Sequence, residues 1–338
     1  MTVSAITLTL ALLFMALAVC ARFAKILHGL AFTFCVLAVG SAALGHPPLF
    51  IAWGGFDLKQ AIGPLVQLIL LGMGMTLTVN DFRRVVTMPR AIVLGFTLQF
   101  TVMPLSGLLF GWLFGLTGAV ATGLILIGSV PGGTSSNVIT LLARGNVPLS
   151  VTMTACSTLL SPLMTPLAMK LLAGTYVPID AWAMMKSILM MIIAPLAVGL
   201  ALYHFLPALA TRLARWLPLV AMGGICMVIG ITVAASREEV LTVGAALLAA
   251  SACHNAMGYL LGFWGARAVG LNHTDSRTVA LEVGIQNGGM ATGLAFGVLE
   301  SPAAALASAV FGPWSAVTSS LLASWWRRRI PAGEGPLP

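Results

Sequence analysis

Residues 280–297 read ALEVGIQNGGMATGLAFG. The stretch is apolar at both ends, yet its middle carries Glu282, Gln286 and Asn287 beside Gly284, Gly288 and Gly289. A carboxylate at bilayer depth costs several kcal/mol, roughly 3 on insertion scales, and such residues mark ion or substrate pathways. Glycines weaken a helix at the same place. One acid at the break of a discontinuous helix is the device by which a secondary transporter holds a coupling ion. The rest of the chain can be asked what it supplies to this position.

The surroundings are those of a membrane. Of 338 residues, 59% are hydrophobic and 8% charged, with a mean hydropathy of +1.01. Apolar runs of about 20 residues recur, which reads as an all-α polytopic membrane protein. Helical periodicity, without alternating ten-residue segments, argues against a barrel. The net charge of +8 lies between the apolar runs, so it predicts loops facing the cytoplasm and no nucleic-acid partner. The five cysteines show no CxxC spacing and the five histidines no HExxH, which gives no basis for a zinc centre. No GK dipeptide occurs; without a Walker A loop the chain does not itself burn ATP. No Ser/His/Asp set or paired acid lies at bilayer depth, so the chain does not read as an enzyme.

Residues 3–21 read as an extra N-terminal helix that either spans the bilayer or lies on its surface, and the expected spans after it are 29–45, 63–79, 91–113, 119–142, 148–173, 181–203, 217–235, 240–266, 278–299 and 303–326. Alternating sides from a cytoplasmic segment at 22–28 puts thirteen basic residues inside: Arg22, Lys25, Arg83, Arg84, Arg90, Arg144, Arg212, Arg215, Arg267, Arg277, Arg327, Arg328 and Arg329. Four fall outside, Lys59, Lys170, Lys186 and Arg237, the asymmetry of the positive-inside rule. The chain then divides into an N-terminal hydrophobic segment at 1–28, one transporter domain at 29–326 and a cytoplasmic tail at 327–338. Its ten core helices fall into two five-helix halves, and an odd number per half forces opposite orientations, the topology of an inverted repeat. The first half carries its own break. Residues 128–146 read GSVPGGTSSNVITLLARGN, where Pro131 removes a donor and Gly132 and Gly133 relax the helix. A half-helix beginning near Thr134 points its positive end at the break, with Ser136 and Asn137 in its first turn, where plain N-capping is the alternative role. Ser150 and Thr154 on the next span lie one turn apart and share a face.

Glu282 is the one acid of nine placed inside a span; the alternative is a protonated structural glutamate. A carboxylate with hydroxyls, amide oxygens and freed carbonyls suits a hard cation such as sodium.

The stretches PGGTSSNVITLLARGNVPLSVTMTACSTLLSPLMTP (131–166) and ALEVGIQNGG (280–289) resemble the two signature regions of the bile acid–sodium symporter family, and the likeness extends over about 29–326. The resemblance implies two crossed discontinuous helices, panel helices at about 29–79 and 181–235, and core helices at about 91–173 and 240–326. It implies two sodium sites: one on Ser136, Asn137, Ser150, Thr154 and Glu282, the other on Gln99, Glu282 and Gln286 with the carbonyls of Val283 and Ile285. It also implies an organic anion against Thr134, Ser135 and Asn287, aided by the half-helix N-termini. One departure shows: bile-acid-binding members carry His-Asn after a tryptophan where this chain has Trp314, Ser315 and Ala316. The expectation is sodium-coupled uptake of a small monocarboxylate, such as pantoate or a keto acid, or of a bile-acid-like anion. It works by alternating access in the cytoplasmic (inner) membrane, with the lipid bilayer, sodium and the anion as partners. A proton-coupled or exchange transporter, or a non-transporting membrane receptor, are the alternatives.

Overall fold

The computed structural model describes residues 3–23, 31–78 and 87–328. Lys25, Asp81, Arg83, Arg84, Arg329, Glu334 and the expected tail from residue 329 onward lie outside the described residues. The first half contains α1 (Val3–Phe23), α2 (Ala31–Gly45), a short α3 (Pro48–Ile51), α4 (Ile62–Gly74), α5 (Pro89–Leu113), α6 (Gly118–Ser129), α7 (Ser135–Leu142) and α8 (Val147–Leu172). The second contains α9 (Ala181–Ile188), α10 (Ala194–Phe205), α11 (Pro207–Ala214), α12 (Leu217–Ala235), α13 (Arg237–Ala268), α14 (His273–Gly284), α15 (Gly288–Gly297) and α16 (Pro302–Arg327). Six stretches of the described helix are long and apolar enough to cross a bilayer: Ser4–Ala21, Pro89–Leu113, Val147–Leu172, Ala181–Phe205, Arg237–Ala268 and Pro302–Arg327. The protein is an all-α polytopic membrane protein.

Side-chain caps fix where several of these helices begin. Asn146 accepts from the amide of Leu149 (3.1 Å) at the start of α8. Asp180 accepts from Trp182 and Ala183 at α9, Asn272 from Asp275 at α14, and Ser301 from Ala304 at α16. Each satisfies backbone donors that a helix start leaves unpaired.

The structure departs from the expected spans in particular places. The 278–299 span begins earlier, because the Asn272 cap starts α14 at His273. Arg277, expected in a cytoplasmic loop, is therefore helical and buried, its guanidinium over the Trp326 ring. The 63–79 span stops as a helix at Gly74, where the Thr76 hydroxyl turns back to the Met73 carbonyl. Between α9 and α10 the chain widens into a π turn at Leu189–Ile193. Pro195, two residues beyond it, cannot donate to Met191, so the hydrogen-bond register shifts ahead of it. Two strands of two residues, Ala52–Trp53 and Phe56–Asp57, pair as a hairpin. Its turn is Gly54-Gly55, both at positive φ, as a two-residue primed turn demands.

Packing arranges the rest around the two interrupted segments. α5 lies against α6, α8 and α13; α13 lies along α14; α16 covers α6, α7 and α15. Elsewhere α1 packs on α2, α2 on α12, and α4 on both α10 and α12. Two glycines let α4 and α10 touch backbone to backbone: a Cβ on Gly74 would strike the Leu196 carbonyl, and one on Gly199 the Leu71 carbonyl.

Candidate functional site

Both predicted breaks are present. α6 stops at Ser129 and α7 starts at Ser135; α14 stops at Gly284 and α15 starts at Gly288. The backbone groups that these interruptions free find each other. The amide of Gly133 donates to the Ile285 carbonyl (2.8 Å), and the amide of Asn287 donates to the Pro131 carbonyl (3.0 Å). Gly132 and Gln286 form an antiparallel bridge between them. Buried backbone must be paired somewhere, and here each break is the other's partner.

Glu282, in the last turn of α14, is 3% exposed. Its Oε2 accepts from the hydroxyls of Ser136 (2.5 Å) and Ser150 (2.9 Å), and its Oε1 accepts from Thr154. Three hydroxyls from α7 and α8 thus converge on one carboxylate from α14. Ser150 and Thr154 share a face, as their spacing predicts. Ser136 does not cap its helix: the N-cap is Thr134, with no side-chain cap bond, and the Ser136 hydroxyl turns to Glu282 instead. Asn137 joins the cluster through its Oδ1, 2.8 Å from the Ser150 hydroxyl. Ser150 has one proton to share between Asn137 and Glu282. Oxygens therefore outnumber the protons that could separate them, and a small hard cation is held well by such a set.

A second group sits beside the first. Gln99, on α5, donates to the Val130 carbonyl (2.7 Å) and to Gln286 Oε1 (2.6 Å). Gln286 donates in turn to the Val283 carbonyl (2.6 Å). The Ile285 carbonyl is taken by Gly133, as above. A small cavity between α5 and α8 opens on both groups, lined by Gln99, Gly132, Ser157 and Glu282 among others. Gly132 is needed there, because a Cβ would lie 2.6 Å from Glu282 Oε1.

The three residues expected at the organic anion lie at the half-helix starts. Thr134 is half-buried and Ser135 exposed, and no described residue hydrogen-bonds either side chain. Asn287 caps α15 by accepting from Met290 (3.0 Å). The structure brings Ser136, Asn137, Ser150, Thr154 and Glu282 into one cluster and Gln99, Gln286, Val283 and Ile285 into another; it draws no side-chain bond between Thr134, Ser135 and Asn287.

Supporting polar residues had little signal in the sequence. Thr165 bonds the Ser129 carbonyl at the end of α6. His254 is wholly buried with Nε2 at the Met103 carbonyl. Asn255 reaches the Gly284 carbonyl. The signal that could have found the last is the polar pair His254-Asn255 mid-way along a mostly apolar helix.

The model of the sodium bile acid symporter family matches residues 63–243. YocS of Bacillus subtilis, described as an uncharacterized sodium-dependent transporter, is 36% identical over 309 residues, covering 90% of this chain and 94% of its own. BASS1 of Oryza sativa subsp. japonica, described as a chloroplastic probable sodium/metabolite cotransporter, is 36% identical over 306 residues, 90% of this chain and 74% of its own. Its namesake in Arabidopsis thaliana is 37% identical over 266 residues, 79% and 66% respectively.

Proposed function

Since the chain belongs to the sodium bile acid symporter family, and so is a membrane transporter rather than an enzyme, we propose that it drives uptake of a small organic monocarboxylate with sodium. The observation that carries this is that, among the described residues, the Glu282 carboxylate meets only neutral hydroxyls, all from the other half of the chain. One sodium lies among Ser136, Asn137, Ser150, Thr154 and Glu282. A second lies among Gln99, Glu282, Gln286 and the carbonyls of Val283 and Ile285. The organic anion sits against Thr134, Ser135 and Asn287, at the positive ends of α7 and α15. Ser315 and Ala316, in place of a His-Asn pair, favour a substrate smaller than a bile acid, such as pantoate or a keto acid.

Coupling follows from charge. Sodium neutralises a buried carboxylate and orders the two breaks, which completes the anion site. Each ligand must then raise the other's affinity by the same factor. Two sodium ions with one monoanion carry net positive charge inward, and each net charge gains about 2.3 kcal/mol per 100 mV.

The ten core spans form two inverted five-helix repeats with a cytoplasmic C-terminus, in a bacterial inner membrane; the plant relatives are described as chloroplastic. The division into panel helices (29–79 and 181–235) and core helices (91–173 and 240–326) is supported by the way α2, α4, α10 and α12 pack among themselves.

The test is accumulation of labelled pantoate or a keto acid in proteoliposomes at fixed pH, with sodium replaced by choline. Uptake should vanish in choline and return with sodium. Sodium-independent uptake would indicate proton coupling or exchange, and binding without accumulation a receptor. A variant probes the second ion: Gln99→Ala removes the donor to Val130 and Gln286, so sodium activation should lose its cooperativity. The orphaned carbonyl costs about 1–3 kcal/mol, so some stability is lost as well. Wild-type sodium activation in that variant would remove the second site from the scheme.

A further inference from the structure

The α14 break frees a run of carbonyls, and each has a different fate. The Val283 carbonyl is held by the Gln286 side chain, the Ile285 carbonyl by the Gly133 amide and the Gln286 carbonyl by the Gly288 amide. The Gly284 carbonyl would ordinarily accept from Gly288, which is thereby engaged elsewhere. It accepts instead from Asn255 Nδ2 on α13, at 2.8 Å.

Asn255 is itself fixed. It is 1% exposed, and its Oδ1 accepts from the Thr318 hydroxyl on α16 at 2.7 Å. The Tyr259 hydroxyl lies 3.3 Å from Thr318 and braces the same group. α13 can approach this closely because Gly258 faces Gly284 and Gly262 faces Ala280, where an added Cβ would come within 2.8 Å and 2.7 Å of the opposing Cα. The amide orientation is therefore set: oxygen to Thr318, nitrogen to Gly284.

Ile285 is extended, and in extended backbone successive carbonyls point to opposite sides. Anchoring the Gly284 carbonyl toward α13 turns that of Ile285 away from α13, whereas Val283 is still in the last turn of α14 and its carbonyl lies near Gly258 of α13. The Ile285 carbonyl is one of the two backbone oxygens proposed for the second sodium. We infer that Asn255, oriented by Thr318, is the positioning residue of that second cation site: it touches no ion, and it holds the Gly284 carbonyl so that the Ile285 carbonyl is aimed away from α13. The inference rests on the sodium reading above and goes beyond it, since neither residue is among the ligands.

Sodium itself is the probe. Purified protein in detergent is titrated with sodium chloride against choline chloride at constant ionic strength, and the rise in Tm is followed, because a ligand of the folded state raises it. Asn255→Asp keeps the shape and removes the donor. Its sodium midpoint should rise about five- to tenfold, the scale of one lost hydrogen bond, and the titration should lose its steepness. Thr318→Val should shift the midpoint in the same direction, and Thr318→Ser should restore it. If Asn255→Asp does not fold, the Thr318 pair decides the matter alone. Variants with a lowered Tm but superimposable sodium curves would make Asn255 a mere helix tie and overturn the inference. Wild-type protein with no sodium response would instead overturn the sodium reading on which it rests.

Discussion

Glu282→Gln should abolish sodium-driven uptake and leave the protein folded. The amide has the carboxylate's shape and can still bond the hydroxyls of Ser136, Ser150 and Thr154, so the cluster keeps its geometry. What it loses is the negative charge. At about 4 Å and an effective dielectric near 20, that charge is worth about 4 kcal/mol to a bound monovalent cation. The corresponding fall in sodium affinity is roughly a thousandfold. The sign without sodium is the reverse: a buried charge with neutral partners is costly, so the neutral variant should melt no lower than wild type in sodium-free buffer. Melting curves with and without sodium check both halves. A Glu282→Gln variant that sodium still stabilises would remove the carboxylate from the ion site.

Gly133→Ala should be nearly as damaging, for a steric reason. A Cβ there lies 2.7 Å from the Gln286 carbonyl oxygen and 3.0 Å from its carbon. The obstacle is backbone, not a side chain that can swing aside. One break must move off the other, and the bond from the Gly133 amide to Ile285 goes with it. Overpacking of this kind costs about 1–3 kcal/mol, and the displacement falls on the Ile285 carbonyl itself. Uptake per inserted molecule should drop about a hundredfold, because small errors in the placement of a preorganised site are expensive. Gly289→Ala supplies the control. Its Cβ would meet the Asn287 Oδ1 at 3.6 Å, an ordinary contact, inside a helix where alanine is preferred. It should transport normally, and equal activity in the two variants would remove the steric argument.

Much of this site can be read from the chain before any coordinates. Pro131, Gly132 and Gly133 mark one interruption and Gly284, Gly288 and Gly289 the other, because each residue type weakens helix for a known reason. Glu282 stands out because ionised groups are rare in apolar spans. The helices capped by Asn146, Asp180 and Ser301 begin within one residue of the expected spans, whereas the one capped by Asn272 begins five residues early. Other features leave no such trace. Ser135 and Ser136 are adjacent and chemically identical, yet one is exposed and the other wholly buried against Glu282; only the rotation of α7 distinguishes them. The bonds between the breaks are made by backbone, which has no sequence signature. Asn255 beside His254 has no visible partner in the sequence until the fold brings Gly284 and Thr318 to its two ends. Arg277 reads as a loop charge, and it is the Trp326 ring that makes a helical place for it.

The antiparallel bridge at Gly132 and Gln286 has a mechanical consequence. Two buried amide-to-carbonyl links, Gly133 to Ile285 and Asn287 to Pro131, clasp the interrupted segments together. Undoing them in the bilayer interior, where water cannot take their place, costs several kcal/mol per group left unpaired. A cycle that opened the clasp at every turnover would climb that barrier twice. On the proposed transport cycle, the lower road would keep it shut and let the clasped unit travel whole against the neighbouring helices, so that the cargo would change sides while its cradle stayed assembled.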